Sequence, residues 1–172
     1  MTSDWCRRSA RTSKGCRLID AALQIEPLIT KGIAENLHER FGDATDYAPE
    51  AQIAMVLSSP RFLEEREDVA LRFMVAYLKG VRDYNDAFVK GTGDKDEIIE
   101  IMTQYTTLKE KDVWEKVNVT GLNPNGDMFI DDIKNQFEVY KANGAIVGDI
   151  NFEDAIDTRL TERAVEVLGE YE

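Results

Sequence analysis

Five consecutive apolar residues, Ile53-Ala54-Met55-Val56-Leu57, closed off by Ser58-Ser59-Pro60, set the tightest limit on what this chain can fold into. The run is of strand length, and an unbroken apolar sequence without alternation suits a strand buried on both faces, as in a parallel or mixed sheet under helices. A second run, Leu18-Ile19-Asp20-Ala21-Ala22-Leu23-Gln24-Ile25, ends at Glu26-Pro27, where proline confines the preceding residue to extended geometry. Two strands do not make an independently stable sheet, and the run at 53–57 expects neighbours on both sides. The chain therefore reads as the C-terminal part of a larger α/β protein.

Between and after these runs the pattern is helical. Ile29, Ile33 and Leu37 predict a helix over 28–41, closed by Gly42-Asp43 and followed by a loop at Asp46-Tyr47-Ala48-Pro49. Ser59 before Pro60 marks a helix start, because proline's missing N–H is not needed in a first turn. Residues 68–90 place Phe73, Tyr77, Val81, Tyr84 and Phe88 on one line, which predicts a long amphipathic helix with an aromatic core face. Gly91-Thr92-Gly93 breaks it, and Asp94-Lys95-Asp96-Glu97 offers the next helix a capping box, with Ile98, Met102 and Tyr105 on its buried edge. Thr107-Leu108-Lys109-Glu110 opens a short helix burying Val113, Trp114 and Val117. Ile130, Ile133, Phe137 and Tyr140 mark another, stopped at Asn143-Gly144, and Ile156, Leu160 and Leu168 belong to a last one over 152–168.

Charge divides the chain at Leu18. Residues 1–17 set five basic side chains against Asp4, a net of +4; the remainder holds 16 basic and 32 acidic residues, a net of −16. Both cysteines, Cys6 and Cys16, lie in that basic leader. It lacks the apolar stretch of roughly 7–15 residues that a signal peptide needs, and Gly15-Cys16 lacks the hydrophobic lead-in of a lipoprotein cleavage site. A Cys6–Cys16 disulfide and two free thiols both fit, the first in an oxidising compartment. A disordered extension is expected, with no export address in the chain as written.

The acidic balance of −12 overall opposes a general nucleic-acid-binding surface, which needs clustered Lys and Arg. No run of about 20 apolar residues is available to span a bilayer. With His38 the single histidine and two cysteines, a multi-ligand His/Cys metal site is close to excluded. His38 sits between Glu35 and Glu39 on what reads as a solvated helix face. Asn118-Val119-Thr120 fits a glycosylation sequon, a pattern common by chance. Gly91-Thr92-Gly93 and residues 121–126 lack the strand-before, helix-after setting of a phosphate loop, and Asp131-Asp132 and Asp94/Asp96 favour helix starts through the macrodipole. No cofactor is expected.

Several blocks together carry a family resemblance. The segment from Leu18 to Pro27 resembles the "IDAA…EP" stretch of substrate-binding proteins of nitrate/sulfonate/taurine-type ABC importers, including relatives that bind pyrimidine precursors of thiamine. The likeness continues through Gln52-Ile53-Ala54, Ser59-Pro60, the run "RFMVAYLKGVRDYNDAF" from Arg72 to Phe88, Gly121-Leu122-Asn123-Pro124-Asn125-Gly126, Asn143-Gly144 and the closing Ala164 to Gly169. It implies an α/β fold, a periplasmic-binding-protein-like type II clamshell of which only the C-terminal half is present, helix-rich with about two strands. After the basic leader at 1–17, residues 18–46 would end the second lobe, and 47–172 would be the crossover and the helices returning to the first. The family's N-terminal half, with much of the cleft, has no counterpart here.

By that resemblance the chain is a partial solute-binding component of an ABC importer, binding a small polar organic solute without chemistry and meeting an ABC permease in the full-length family. Glu26 is the first choice for a ligand contact, since a carboxylate repels an anion and welcomes ring nitrogens or an amine; Asp20 and Tyr47 follow. Each has a plain alternative: Asp20 as a turn cap, Glu26 as a solvated carboxylate, Tyr47 as hinge packing. The full-length family is periplasmic or membrane-anchored outside the cytoplasm, whereas this chain as written would stay in the cytoplasm. Alternatives of other classes are an enzyme on the same fold, either a thiamine-pyrimidine synthase or a menaquinone-pathway dehydratase, and an acidic helical interaction module. Unpaired strand edges predict self-association.

Overall fold

Local rules hold where a few neighbouring residues decide the outcome. Ser59 sits in extended backbone and its hydroxyl accepts the Phe62 N–H at 3.2 Å, with Pro60 first in the helix, as the sequence predicts. The computed structural model describes residues 20–172, and its regular elements are helices. These are α1 (Leu28–Ala34), α2 (Pro60–Glu65), α3 (Glu67–Asn85), α4 (Lys95–Tyr105), α5 (Lys111–Trp114), α6 (Ile130–Ala142) and α7 (Arg159–Leu168). Short 3₁₀ turns occupy Ala44–Asp46 and Phe152–Ala155, and a π-helical turn, Asp86–Lys90, continues α3. The expectations for Cys6, Cys16, Leu18 and Ile19 lie outside the described residues.

The expected α/β clamshell with about two strands is overturned: among the described residues there is no strand. The run at 53–57 is irregular, with Ile53 76% and Leu57 88% exposed. Gln52 tethers its start to α6: the Gln52 N–H donates to Asp132 Oδ2 at 2.8 Å, Gln136 Nε2 donates to the Gln52 carbonyl at 3.0 Å, and the Phe129 N–H donates to Gln52 Oε1 at 3.0 Å. A ladder needs a facing strand, and apolar content does not supply one. Residues 21–25 are likewise irregular, with Leu23 and Ile25 exposed.

The chain divides into two units. The first comprises Met1–Gly42, described from Asp20 onward, and Ile99–Thr120. There α1 is shorter than the predicted 28–41 helix. Asn36 adopts φ 56°, its N–H bonds the Ile33 carbonyl at 3.0 Å, and the Leu37 N–H reaches back to Gly32 at 2.9 Å. That pair of bonds around a left-handed Asn is a Schellman stop, and it satisfies carbonyls that a longer helix would have used. Trp114 and Val113 are buried as expected, and Trp114 Nε1 donates to the Leu108 carbonyl at 3.1 Å. Lys31 on α1 pairs with Glu110, just before α5, at 3.0 Å.

The second unit comprises Asp43–Ile98 and Gly121–Glu172. Its centre is α3 packed along α7. The buried line on α3 is Ala70, Leu78, Val81 and Asn85, with half-buried Met74 between; of the predicted aromatic line Val81 is buried, Tyr84 and Phe88 are half-buried, and Phe73 and Tyr77 stand exposed. Phe73 is 52% exposed, and Phe73 and Tyr77 stack on each other with centroids 6.5 Å apart. The two lines follow the same helical period and meet at Val81, and the side on which α7 packs selects between them in the first half of the helix. Phe152, in its 3₁₀ turn, is buried with its ring 5.6 Å from that of Phe137 on α6. Helix α6 ends as predicted: Gly144 has φ 72°, and the Ala145 N–H reaches the Tyr140 carbonyl at 2.9 Å. The predicted 152–168 helix is instead the 3₁₀ turn Phe152–Ala155 and, separately, α7.

Candidate functional site

Within the second unit, the richest convergence of polar groups lies where the end of α3, the π-helical turn, the 121–127 loop and residues 169–172 meet. Asn85, the buried polar residue there, spends its amide on the carbonyls of Val81 at 2.8 Å and Leu122 at 3.0 Å, which pins the loop to the helix. One turn earlier, Arg82 Nε donates to the Pro124 carbonyl at 3.0 Å. Its Nη2 serves both Asn125 Oδ1 at 3.0 Å and the Gly169 carbonyl at 2.7 Å. A planar guanidinium with donors in a fixed fork is suited to joining three acceptors from separate chain segments.

Asn125 faces the main chain of Tyr171. Its Oδ1 accepts the Tyr171 N–H at 3.0 Å and its Nδ2 donates to the Tyr171 carbonyl at 3.3 Å. The Tyr171 ring lies 3.9 Å from Lys90 Nζ and 5.7 Å from the Arg82 guanidinium carbon. Its hydroxyl donates to Asp86 Oδ1 at 2.7 Å, and Lys90 also donates to the main-chain oxygen of Glu172. Burial, then the Asp86 carboxylate against its hydroxyl, pushes the Tyr171 phenol above its ordinary range; the nearby Arg82 charge opposes them. Two cations on the ring and a carboxylate on its hydroxyl make a fitted socket for one side chain.

The residues singled out from the sequence lie elsewhere. Asp20 is exposed at the start of the described chain. Glu26, half-buried, turns its carboxylate onto the Thr30 N–H at 3.1 Å and so serves the first turn of α1. Tyr47, in the second unit, is 79% exposed after the Ala44–Asp46 turn. His38 is exposed, as expected, but lies beyond the end of α1, and a Cβ on the buried Gly32 would fall 2.1 Å from its Nε2, so the imidazole rests over that glycine.

A shallow surface hollow of about 240 Å³ beside α2 is lined by Ser59, Arg61, Phe62, Glu65 and Arg66, smaller than the roughly 300–1,000 Å³ usual for a small-molecule site. Among the described residues no three His, Cys, Asp or Glu side chains gather as a metal site requires, and no helix is long and apolar enough to cross a membrane.

Sequence reasoning passed over the Arg82 cluster because Arg82 falls off the aromatic line and reads as a solvent-facing charge. A signal was present in Arg82, Asp86 and Lys90, four apart along one face. Comparison of the chain with protein-family models, with curated proteins and with solved structures returns no match.

Proposed function

We propose that this chain is part of a solute-binding component of an ABC importer, a non-catalytic piece that acts together with polypeptide covering its exposed apolar segments. The support is the order of blocks that resemble that family of binding proteins. The observation that carries it furthest is Arg82. This single side chain ties "YLKGVRDYNDAF" to "GLNPNG" and to the closing Gly169, through its bonds to Pro124, Asn125 and Gly169. Three blocks picked out separately along the sequence are thus one packed unit, as blocks retained together from a common ancestor would be. The solute is a small polar organic molecule, with Glu26 and Asp20 of the first unit as the proposed contacts, Tyr47 of the second unit a separate candidate, and an ABC permease as the proposed partner. The net charge of −12 argues against nucleic acid as a ligand.

The test is calorimetric titration with thiamine-pyrimidine precursors, taurine and nitrate. The chain alone is expected to give no heat beyond dilution. The longest form of the protein isolated from its own cells is expected to bind an amine-bearing ring in the micromolar range. Absence of binding by that longest form overturns the reading.

One observation favours a second reading, an acidic helical interaction module. The uncharged segment 53–57 stands exposed between a side-chain tether at Gln52 and the cap at Ser59. Exposed contiguous apolar surface of this kind marks interaction sites. A copurifying protein that protects this segment, with no solute bound, would favour it over the importer reading.

A further inference from the structure

We infer that the socket formed by Arg82, Asp86, Lys90 and Asn125 is a peptide-binding site, filled in this structure by the chain's own residues 169–172, and that its ligand class is an extended acidic segment bearing a tyrosine. The inference is independent of the importer reading. Most of the hydrogen bonds into 169–172 go to main chain: the carbonyls of Gly169, Tyr171 and Glu172 accept from Arg82, Asn125 and Lys90, and the Tyr171 N–H donates to Asn125. An amide side chain pairing with both the N–H and the C=O of one residue reads an extended backbone whatever its sequence, as a strand edge does. Specificity comes from the tyrosine, whose ring meets two cations and whose hydroxyl meets Asp86. The flanking Glu170 and Glu172 complement Arg82 and Lys90 in charge.

The same residues have a pivot. Gly169 holds φ 77°, a conformation open to glycine, and follows α7 directly. Residues 170–172 form no regular element of their own and are held by side chains from other elements. Such a segment leaves its socket at the expense of those bonds and of the Tyr171 ring's contacts with Arg82 and Lys90, without unwinding α7. Asp86, which receives the hydroxyl, opens the π-helical turn, a local widening that recurs at binding sites.

The test uses the full chain with Tyr171→Ala, which takes the ring and hydroxyl out of the socket and leaves residues 169–172 held by main-chain bonds alone, and a fluorescent peptide of sequence Leu-Gly-Glu-Tyr-Glu read by anisotropy. The variant is expected to bind at least about tenfold more tightly than the unmodified chain, where the socket is self-occupied. Methylating the peptide's tyrosine nitrogen removes the N–H bond to Asn125 Oδ1 and leaves the bond from Asn125 Nδ2 to the carbonyl, and adding Asn125→Ala to the variant removes both. Each is expected to weaken binding by about tenfold, the worth of one or two such bonds. Equal binding by the variant and the unmodified chain, or indifference to N-methylation, overturns the proposal. If Tyr171→Ala does not fold, the unmodified chain decides: millimolar peptide should accelerate amide exchange at Tyr171 by displacing it, and unchanged exchange rejects the site.

Discussion

Arg82 Nη2 donates to the Gly169 carbonyl at 2.7 Å, joining the last turn of α3 to the residue that follows α7. With Pro124 and Asn125 also on this guanidinium, its removal strands acceptors on two other segments. Hydrogen bonds to charged groups contribute about 1.5–3 kcal/mol each when well buried, and Arg82 is half-buried. Arg82→Ala should therefore lower unfolding free energy by about 2 kcal/mol in urea titration. Arg82→Lys should recover less than half of that, since a point ammonium cannot span the three acceptors. A full recovery by lysine would show that charge alone matters here.

Gly126 is held where a side chain cannot follow. Its φ is 77°, and a Cβ there would fall 2.6 Å from Thr161 Cγ2 and 3.1 Å from Leu78 Cδ2. Left-handed backbone strain and overpacking each cost about 1–3 kcal/mol, so Gly126→Ala should destabilise by about 2–4 kcal/mol. Thr161→Ser removes the nearer methyl. In a double-mutant cycle it should return about 1 kcal/mol in the Gly126→Ala background and little in the parent. Strict additivity would place the cost in the backbone alone.

Leu78 is the large side chain with 0% exposure, and it stands on the face of α3 that packs on α7. Leu78→Ala should cost about 2–5 kcal/mol through lost transfer energy and the cavity left behind. Leu23→Ala, at 91% exposure, should stay within about 0.5 kcal/mol. Chemical denaturation of the pair tests whether α3 carries the core; similar losses at both positions would contradict it.

What the sequence made legible follows from the range over which each feature is decided. The Ser59–Phe62 cap, the Asn143-Gly144 stop and the Asp94 side chain accepting the Glu97 N–H at 3.0 Å all depend on residues within four positions. All three were readable. The early end of α1 used a local signal as well, the left-handed Asn36, but the periodicity of Ile33 and Leu37 spoke louder. The run at 53–57 was misread because a strand is defined by a partner far along the chain, and composition carries no information about whether one exists. The Arg82 socket was legible only in its own spacing with Asp86 and Lys90, because its acceptors lie about 40 and 87 residues downstream. On α3 the period and Val81 were readable, whereas Phe73 and Tyr77 fall on the exposed side, since choosing between the Phe73 and Leu78 lines requires knowing where α7 packs.

Tyr171 makes stability depend on alkaline pH. Burial and the Asp86 carboxylate hold its phenol above the ordinary value of 10.0, so the folded chain keeps this proton more tightly than the unfolded chain does. The associated stability is fully present below pH 10.0 and is lost as pH rises through the folded value. Tyr171→Phe removes the titrating group and should remove this loss. Urea titrations of both proteins at about pH 8 and about pH 11 should show their stability difference shrinking or reversing at the higher pH. A difference that is the same at both values would mean the phenol does not sense Asp86.

The exposed segment at 53–57 should drive copies of this chain together. Ile53 and Leu57 stand well out in solvent, Met55 and Val56 are 45% and 40% exposed, and no charge or proline interrupts the run. Contiguous exposed apolar side chains favour contact with another chain, and a lysine among them opposes it by setting like charges against each other. Sedimentation velocity over a wide concentration range should show the unmodified chain associating, and Leu57→Lys should weaken that association by at least about tenfold. At 88% exposure Leu57 has little packing to lose, so the variant should unfold at the same urea concentration as the parent. A chain that stays monomeric throughout, or an association untouched by the lysine, would move the self-contact to another face.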